Sequence, residues 1–404
     1  MKLGISLYPG LDANRAKSLL LLQKAAALGY SRVFSSLHIP ESNAASLRED
    51  ALYLFACAES LGLDVIADIS PLTLKILDIP ELTPARLKQL HITTARFDYG
   101  IGTETIAAFS HEMKVQLNAS TARSVELHAL LKAEADFSRI DGQHNFYPRP
   151  HTGLSSETVQ RQNALLHRHE IPAGVFAASQ TGRRGPLYAG LPTMESLRGI
   201  APCDAAPILT AIGCDSLIIG DSNPTLAELE ALADPETLAK ADARYSRKAL
   251  PPKKEWQPDA PLPLHIHVLS EAPFIRSLLS RSYTNRPDPA ADVIRAKESR
   301  DTAKDINIVP ERNENKLIIE MPKEYAAVFA GPQHLANGKK SSLLPVGTVL
   351  LDNNSYGRYK GELQILTAPQ PMDPRSNVIA QVKKEDVPLL SLISAEIPFR
   401  FEIG

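Results

Sequence analysis

Residues 3–36 read LGISLYPGLDANRAKSLLLLQKAAALGYSRVFSS. A short apolar run at 3–7 is followed by an amphipathic stretch at 14–28 with apolar residues at helical spacing. Gly29 then stops the helix, and a second β-type run begins at 32. Strand, helix, glycine, strand is one βαβ unit. The order repeats through the first 235 or so residues, with β-type runs at 3–7, 32–36, 64–69, 93–97, 114–117, 136–140, 173–177 and 216–219. Amphipathic stretches fall between them at 14–28, 45–61, 120–133 and 157–169, and Gly62 and Gly213 repeat the helix stop. Eight strands alternating with helices, about 30 residues per unit, predict a (β/α)8 barrel of α/β class. A doubly wound sheet alternates in the same way. The count of eight, and the polar residues that follow nearly every strand, favour the barrel.

The chain of 404 residues is long for one core, which predicts two domains. Hydrophobic residues at 44% and charged residues at 22% are globular values. A net charge of −2 without a long basic run makes nucleic acid a poor partner. Cys57, Cys203 and Cys214 lack metal-ligand spacing, and a sparse odd set suits a reducing compartment. The N-terminus MKLGISLYPG does not read as a signal peptide, and no apolar run approaches the roughly 20 residues that span a bilayer. The expectation is a soluble, cytoplasmic protein without a membrane partner.

The texture changes after Leu232. Pro251, Pro252, Pro258, Pro261 and Pro263 stand among charges, which is linker chemistry. Short β-type runs follow at 264–268, 316–320, 348–351, 362–366, 378–381 and 399–402, with turn signals at Asn337-Gly338 and Asp352-Asn353. The expected organisation is a barrel over 1–243, a Pro-rich linker over 244–263 and a small β-barrel over 264–404.

Catalytic groups of this fold sit at the C-terminal ends of strands. Those positions carry Tyr8, His38, Asp68, Arg96 with Asp98, Asn118, the segment His144-Asn145-Phe146-Tyr147-Pro148-Arg149, and Asp221. Asp68 and Asp98 end neighbouring strands about 4.8 Å apart, within reach of the roughly 5 to 9 Å carboxyl separations of glycosidases. Arg96 lies two residues before Asp98, so alternation puts both on one side of the strand. A guanidinium there favours the charged carboxylate. The alternative is a structural ion pair closing the barrel top. Donors, acceptors and an aromatic face within HNFYPR suit a sugar; a rigid Pro-bracketed loop is the plainer reading. Loop seven carries Arg183-Arg184 between Gly182 and Gly185, which suits an oxyanion or a solvated loop. No GxGxxG or P-loop supports a nucleotide, and His91, His111, His128, His151, His265 and His267 form no zinc spacing. Neither cofactor nor metal is expected. Trp256 reads as a docking anchor. DNNSYGRYKGELQ, residues 352–364, reads as a hairpin turn entering a strand, with Arg358 over the barrel mouth as the functional alternative.

SLYPG, ADISP, ARFDYG, LNAS, HNFYPRPHTGL and DNNSYGRYKGELQI together resemble one family. It is the bacterial group long labelled "outer surface protein", to which the 6-phospho-N-acetylmuramidases belong, and the resemblance covers essentially the whole chain. It implies a barrel followed by a cyclophilin-like domain. It also implies a cytoplasmic glycoside hydrolase that releases N-acetylmuramic acid 6-phosphate from a cell-wall disaccharide in peptidoglycan recycling. The motifs place weight on Asp68, Arg96, Asp98, Asn118, His144, Asn145 and Tyr147, and less on Glu41 and Asp221. Gln116 stands where an acidic residue is expected in some relatives.

On this reading Asp98 is nucleophile or electrostatic stabiliser and Asp68 acid/base, or the reverse. An N-acetyl group on the substrate is a third candidate for the nucleophile. Arg183, Arg184 and Arg149 hold the phosphate, Tyr147 packs on the ring, and Tyr8, Asn118, His144, Asn145 and Arg358 complete the contacts. The partner is a phosphorylated amino-sugar glycoside, with a homodimer left open. The alternatives are a hydrolase of another 6-phospho-glycoside, a non-catalytic phospho-sugar sensor, and an aldolase or isomerase. The last wants a Schiff-base lysine or a metal cluster, and no Lys directly follows a predicted strand end.

Overall fold

The computed structural model describes residues 1–11, 15–37, 39, 44–70, 73, 75, 81–97, 100–237, 258, 260–270, 272–310, 333–334, 340–341 and 343–403. Asp98, Glu41, His38, Trp256, the run at 316–320 and Asn337-Gly338 lie outside them. The chain divides into two compact units, Met1–Pro252 and Lys253–Gly404.

The first unit is a closed barrel of eight parallel strands in sequence order, β1 (Lys2–Ser6), β2 (Arg32–Ser35), β3 (Asp64–Ile69), β4 (Thr94–Phe97), β5 (Lys114–Asn118), β6 (Ile140–Gln143), β7 (Ala173–Ala177) and β8 (Ser216–Ile219). The (β/α)8 reading holds, and the doubly wound alternative falls because β8 pairs back onto β1. One strand differs from expectation. Residues 137–139 form a 3-10 turn capped by the Asp136 side chain, which accepts from Ser138 N–H, so β6 starts at Ile140. The shift puts His144-Asn145 directly at the strand's carboxyl end.

Strand residues alternate between two environments. One parity, with Ile5, Val33, Val65, Ala95, Val115 and Val175, packs against the helices in the large apolar core. The other fills the barrel, where Tyr8, Phe34, Ile66, Phe176 and Ile218 form a separate cluster with Leu191 and Phe146. Space there is tight. A Cβ on Gly174 would meet Gln143 Oε1 at 2.0 Å and Ser216 Oγ at 2.2 Å, so only glycine lets the Gln143 side chain lie inside.

The second unit is built on a seven-stranded sheet, including β9 (Leu262–Val268), β10 (Thr348–Asp352), β11 (Leu363–Leu366), β12 (Ser376–Val382) and β13 (Pro398–Ile403). β9 takes in Leu262 and Pro263, which the sequence assigned to the linker. The 352–364 segment is the connection expected of it: it joins antiparallel β10 to β11 through a 3-10 stretch, Asn354–Tyr359. Its polar residues are largely internal. Asp352 accepts from Ser376 Oγ at 2.6 Å, and Glu362 takes Arg295 Nε and Nη2 at 2.7 and 3.0 Å. Among the described residues no helix is long and apolar enough to cross a membrane.

Candidate active site

The polar half of the barrel follows from strand register. Asp68 pairs with Arg96, Arg96 with Gln116, and Gln116 with Asp141 across β3, β4, β5 and β6. Residues at paired positions share a face, so all four side chains enter the barrel together. Arg96, 2% exposed, sets its Nε 2.9 Å from Asp68 Oδ1. Its Nη1 donates to Gln143 O at 2.8 Å and to Gln116 Oε1 at 3.4 Å, and its Nη2 to Asn145 Oδ1 at 2.7 Å. Alternation along β4 had pointed to Asp98 as the arginine's partner. Cross-strand register supplies Asp68 in the described residues.

Gln116 explains itself in this setting. Its Nε2 donates to Asp141 Oδ1 at 2.9 Å, while Asp141 is ion-paired to Arg32, reaching from β2 across to β6. A carboxylate at 116 would sit against Asp141, whereas the amide offers oxygen to Arg96 and nitrogen to Asp141. Two buried ion pairs are thus joined by a neutral group that satisfies both.

The HNFYPR segment divides its side chains between two sides. His144 is fully buried away from the barrel interior, with Nδ1 3.2 Å from Ser120 Oγ and Nε2 3.0 Å from Asn163 Oδ1. Burial pushes its pKa down to about 4, so the ring is neutral. The expected substrate contact is therefore corrected: both ring nitrogens are engaged, and His144 anchors the strand end to helix Ser156–His167. Tyr147 is likewise buried in the helix-side core, its N–H donating to Pro192 O at 2.9 Å. It is not the ring platform expected. Phe146 turns inward instead, with ring centroids 5.1 Å from Phe176, 6.1 Å from Phe34 and 6.4 Å from Tyr8. Two outward anchors thus leave Asn145 and Phe146 facing the mouth. Sequence reasoning passed over Phe146, because two neighbouring residues facing the same way break the strand's alternation.

Loop seven supplies the cation. The Arg184 guanidinium carbon lies 4.4 Å from the Tyr8 ring centroid and 5.2 Å from that of Phe146. Its Nε donates to Gly185 O at 3.2 Å, while Nη1 is buried without a hydrogen-bond partner among the described residues. Tyr8 donates its hydroxyl to Gly220 O at 2.6 Å, and burial raises its pKa well above the phenol range, with the Arg184 charge pulling the other way. Arg183 turns back on its own loop, to Ser179 O and Gln180 Oε1. Arg149 is buried, with Nη1 donating to Pro150 O at 3.0 Å. Asn118 uses Oδ1 to accept from Ser120 N–H, in a cleft floored by Phe97, Leu117 and Leu127. Arg358, in the second unit, donates to the Tyr359 hydroxyl at 3.0 Å.

Asp221 shapes the arginine loop. Its carboxylate accepts from the N–H groups of Ser179, Arg184 and Leu191 at 2.8, 2.9 and 3.2 Å. Burial raises its pKa, opposed by those three donors and the Arg184 charge. Glu228, unremarked in the sequence, closes the same loop from helix Leu226–Ala233 by taking Ser179 Oγ, Gln180 N–H and Thr181 Oγ1. Gly182 is required where the loop meets Asn223, because a Cβ there would fall 1.6 Å from Asn223 O.

A family model described as 6-phospho-N-acetylmuramidase, N-terminal, matches residues 3–234, which is more than half of the chain. The chain belongs to the 6-phospho-N-acetylmuramidase family. The model for the family's C-terminal region matches residues 329–402. Membership makes the protein a glycosidase, and the strand-end residues above lie within the muramidase N-terminal match. Two solved structures are similar along their whole length. One is an uncharacterized Bacillus cereus protein, at 25% identity and TM-score 0.51, covering 99% of both chains. The other is a conserved Enterococcus faecalis protein of unknown function, at 29% identity and TM-score 0.52, covering 100% of this chain and 97% of that one. No curated protein matches.

Proposed function

We propose that the protein hydrolyses the bond between N-acetylmuramic acid 6-phosphate and N-acetylglucosamine, in the cytoplasm, during peptidoglycan recycling. The observation that carries the substrate reading is the buried Arg184 guanidinium beside the aromatic face of Phe146, with an Nη1 that has no hydrogen-bond partner among the described residues. A desolvated cation keeps such a donor unmatched at a cost of roughly 1–3 kcal/mol or more, which a phosphoryl oxygen would recover. Arg184 is therefore the principal phosphate ligand, and Phe146 is the surface against which the sugar packs. Arg183 and Arg149 contribute through the loop and the wall.

The ion pair at Arg96 bears on the carboxylates. A guanidinium favours the charged form of a carboxylate, which suits Asp68 to accept a proton or stabilise an oxocarbenium-like centre. Asp98 then takes the proton-donating role, the reverse of the first assignment. The second unit is read as cyclophilin-like from the family resemblance.

Turnover of a 6-phospho-N-acetylmuramyl–N-acetylglucosamine disaccharide, followed by product chromatography, tests the reading. The wild type is expected to cleave it at least about 100-fold more efficiently than the unphosphorylated disaccharide. Asp68→Asn is expected to lower kcat by about 1,000-fold with little change in KM. Equal efficiency on both disaccharides would sink the phosphate assignment.

A further inference from the structure

Arg96 spends one edge of its guanidinium on two different oxygens. Nε meets Asp68 Oδ1 at 2.9 Å and Nη2 meets Asn145 Oδ1 at 2.7 Å. Arg295 uses the same edge to grip both oxygens of Glu362. An arginine donates and never accepts, so the atom of Asn145 facing it is the amide oxygen, and the amide nitrogen is turned away. The backbone that carries this side chain is held as well. The Asn145 N–H donates to Ser120 Oγ at 2.9 Å, and its C=O accepts from Thr193 Oγ1 at 2.9 Å. Arg96 is itself held by Gln143 O and Gln116 Oε1. Asn145 is half-buried, and its Nδ2 has no protein partner among the described residues.

We propose that Asn145 is a substrate-contacting donor and Arg96 the positioning residue that makes it donor-only, and that the pair selects a 2-acetamido sugar over its free amine. The inference rests on the amino-sugar substrate proposed above. A carbonyl oxygen of an acetamido group only accepts, so it complements an amide nitrogen fixed outward. An ammonium at the same carbon carries only donors and meets Nδ2 donor to donor. A hydroxyl rotates to suit either partner and is discriminated least. A site built to hydrogen-bond one group rejects the analogue that leaves its buried partner unmatched.

The test uses the full chain and nitrophenyl 6-phospho-muramosides bearing a 2-acetamido, a 2-amino or a 2-hydroxyl group. Asn145→Asp keeps the shape and the hydrogen bond to Arg96 but turns an acceptor toward the sugar. It is expected to lower kcat/KM on the acetamido substrate about 100-fold and on the 2-hydroxyl substrate less than about 5-fold, with the 2-amino substrate unchanged or improved. Arg96→Lys keeps the charge beside Asp68 but cannot grip both oxygens, and it is expected to lose about 10-fold in acetamido-over-amine preference. Asn145→Ala, with circular dichroism on all variants, separates loss of the donor from loss of the fold. Equal loss on all three substrates by a folded Asn145→Asp overturns the inference while leaving the glycosidase intact. A wild type that cleaves no phospho-muramoside but cleaves another 6-phospho-glycoside overturns the substrate reading instead.

Discussion

The two halves of the barrel interior handle buried charge in opposite ways. Toward β3–β6, Arg32, Asp141, Gln116, Arg96, Asp68 and Asn145 are tied to one another by ion pairs and hydrogen bonds. Toward β1, β7 and β8 the filling is aromatic and aliphatic, and the guanidinium that enters it, Arg184, lies against rings with one nitrogen unmatched. A paired buried charge fixes geometry; an unmatched one is a place for a ligand. The difference teaches that the first half is built to orient groups and the second to receive an anion.

The contrast is broken most severely at Arg96. Arg96→Met leaves Asp68 without its guanidinium and Asn145 Oδ1 without a donor, and removing one partner of a buried pair typically costs about 3–5 kcal/mol. Urea unfolding should show that loss along with abolished turnover. A stability change within about 0.5 kcal/mol would mean the wall is not the rigid element described.

His144 tests whether the outward anchor is structural. Its imidazole is held neutral, with a pKa of about 4 against an ordinary 6.5, by burial. The unfolded chain therefore takes up this proton first, and the stability that the neutral ring secures is complete above about 6.5. It is lost as pH falls toward about 4, by up to ~3 kcal/mol. Unfolding free energies at pH 7 and 4.5 should show a smaller acid loss in His144→Gln than in the wild type. The activity profile between pH 6 and 8 should not move, since the ring stays neutral throughout.

The receiving half is sharpened by its two adjacent arginines. Arg184→Gln should raise KM for the phosphorylated disaccharide about 100-fold, or about 2.7 kcal/mol. Arg183→Gln, whose donors go to Ser179 O and Gln180 Oε1, should change it less than about 3-fold. Similar losses from both would place the anion on the loop's outer side.

Much of the fold was legible because helical and strand periodicities differ and the glycine stops fall between them. The eight strands, the long helices and the β10–β11 connection all lie close to where the pattern puts them. β6 slipped by a few residues because Asp136 caps a 3-10 turn, a local hydrogen bond that competes with strand pairing and leaves no hydrophobic signature. Within the site, Asp68, Arg96, Asn145 and Arg184 were readable as polar residues at strand ends. His144 and Tyr147 were misplaced because a strand end that turns into a loop no longer alternates.

The sequence by itself determined the alternating scaffold, the family motifs and which residues stand at the mouth, because these depend on local periodicity and chain order. Only the tertiary structure decided which charge meets which. Register between β3 and β4 put Asp68 on Arg96, and the registers of β5 with β4 and with β6 put Gln116 between Arg96 and Asp141. The packing of loop seven laid Arg184 on Tyr8, a residue 176 positions away in the chain. Such pairings join residues far apart in sequence, and no local pattern encodes them. They exist because closing the barrel removes water and leaves each buried polar group to find its partner inside.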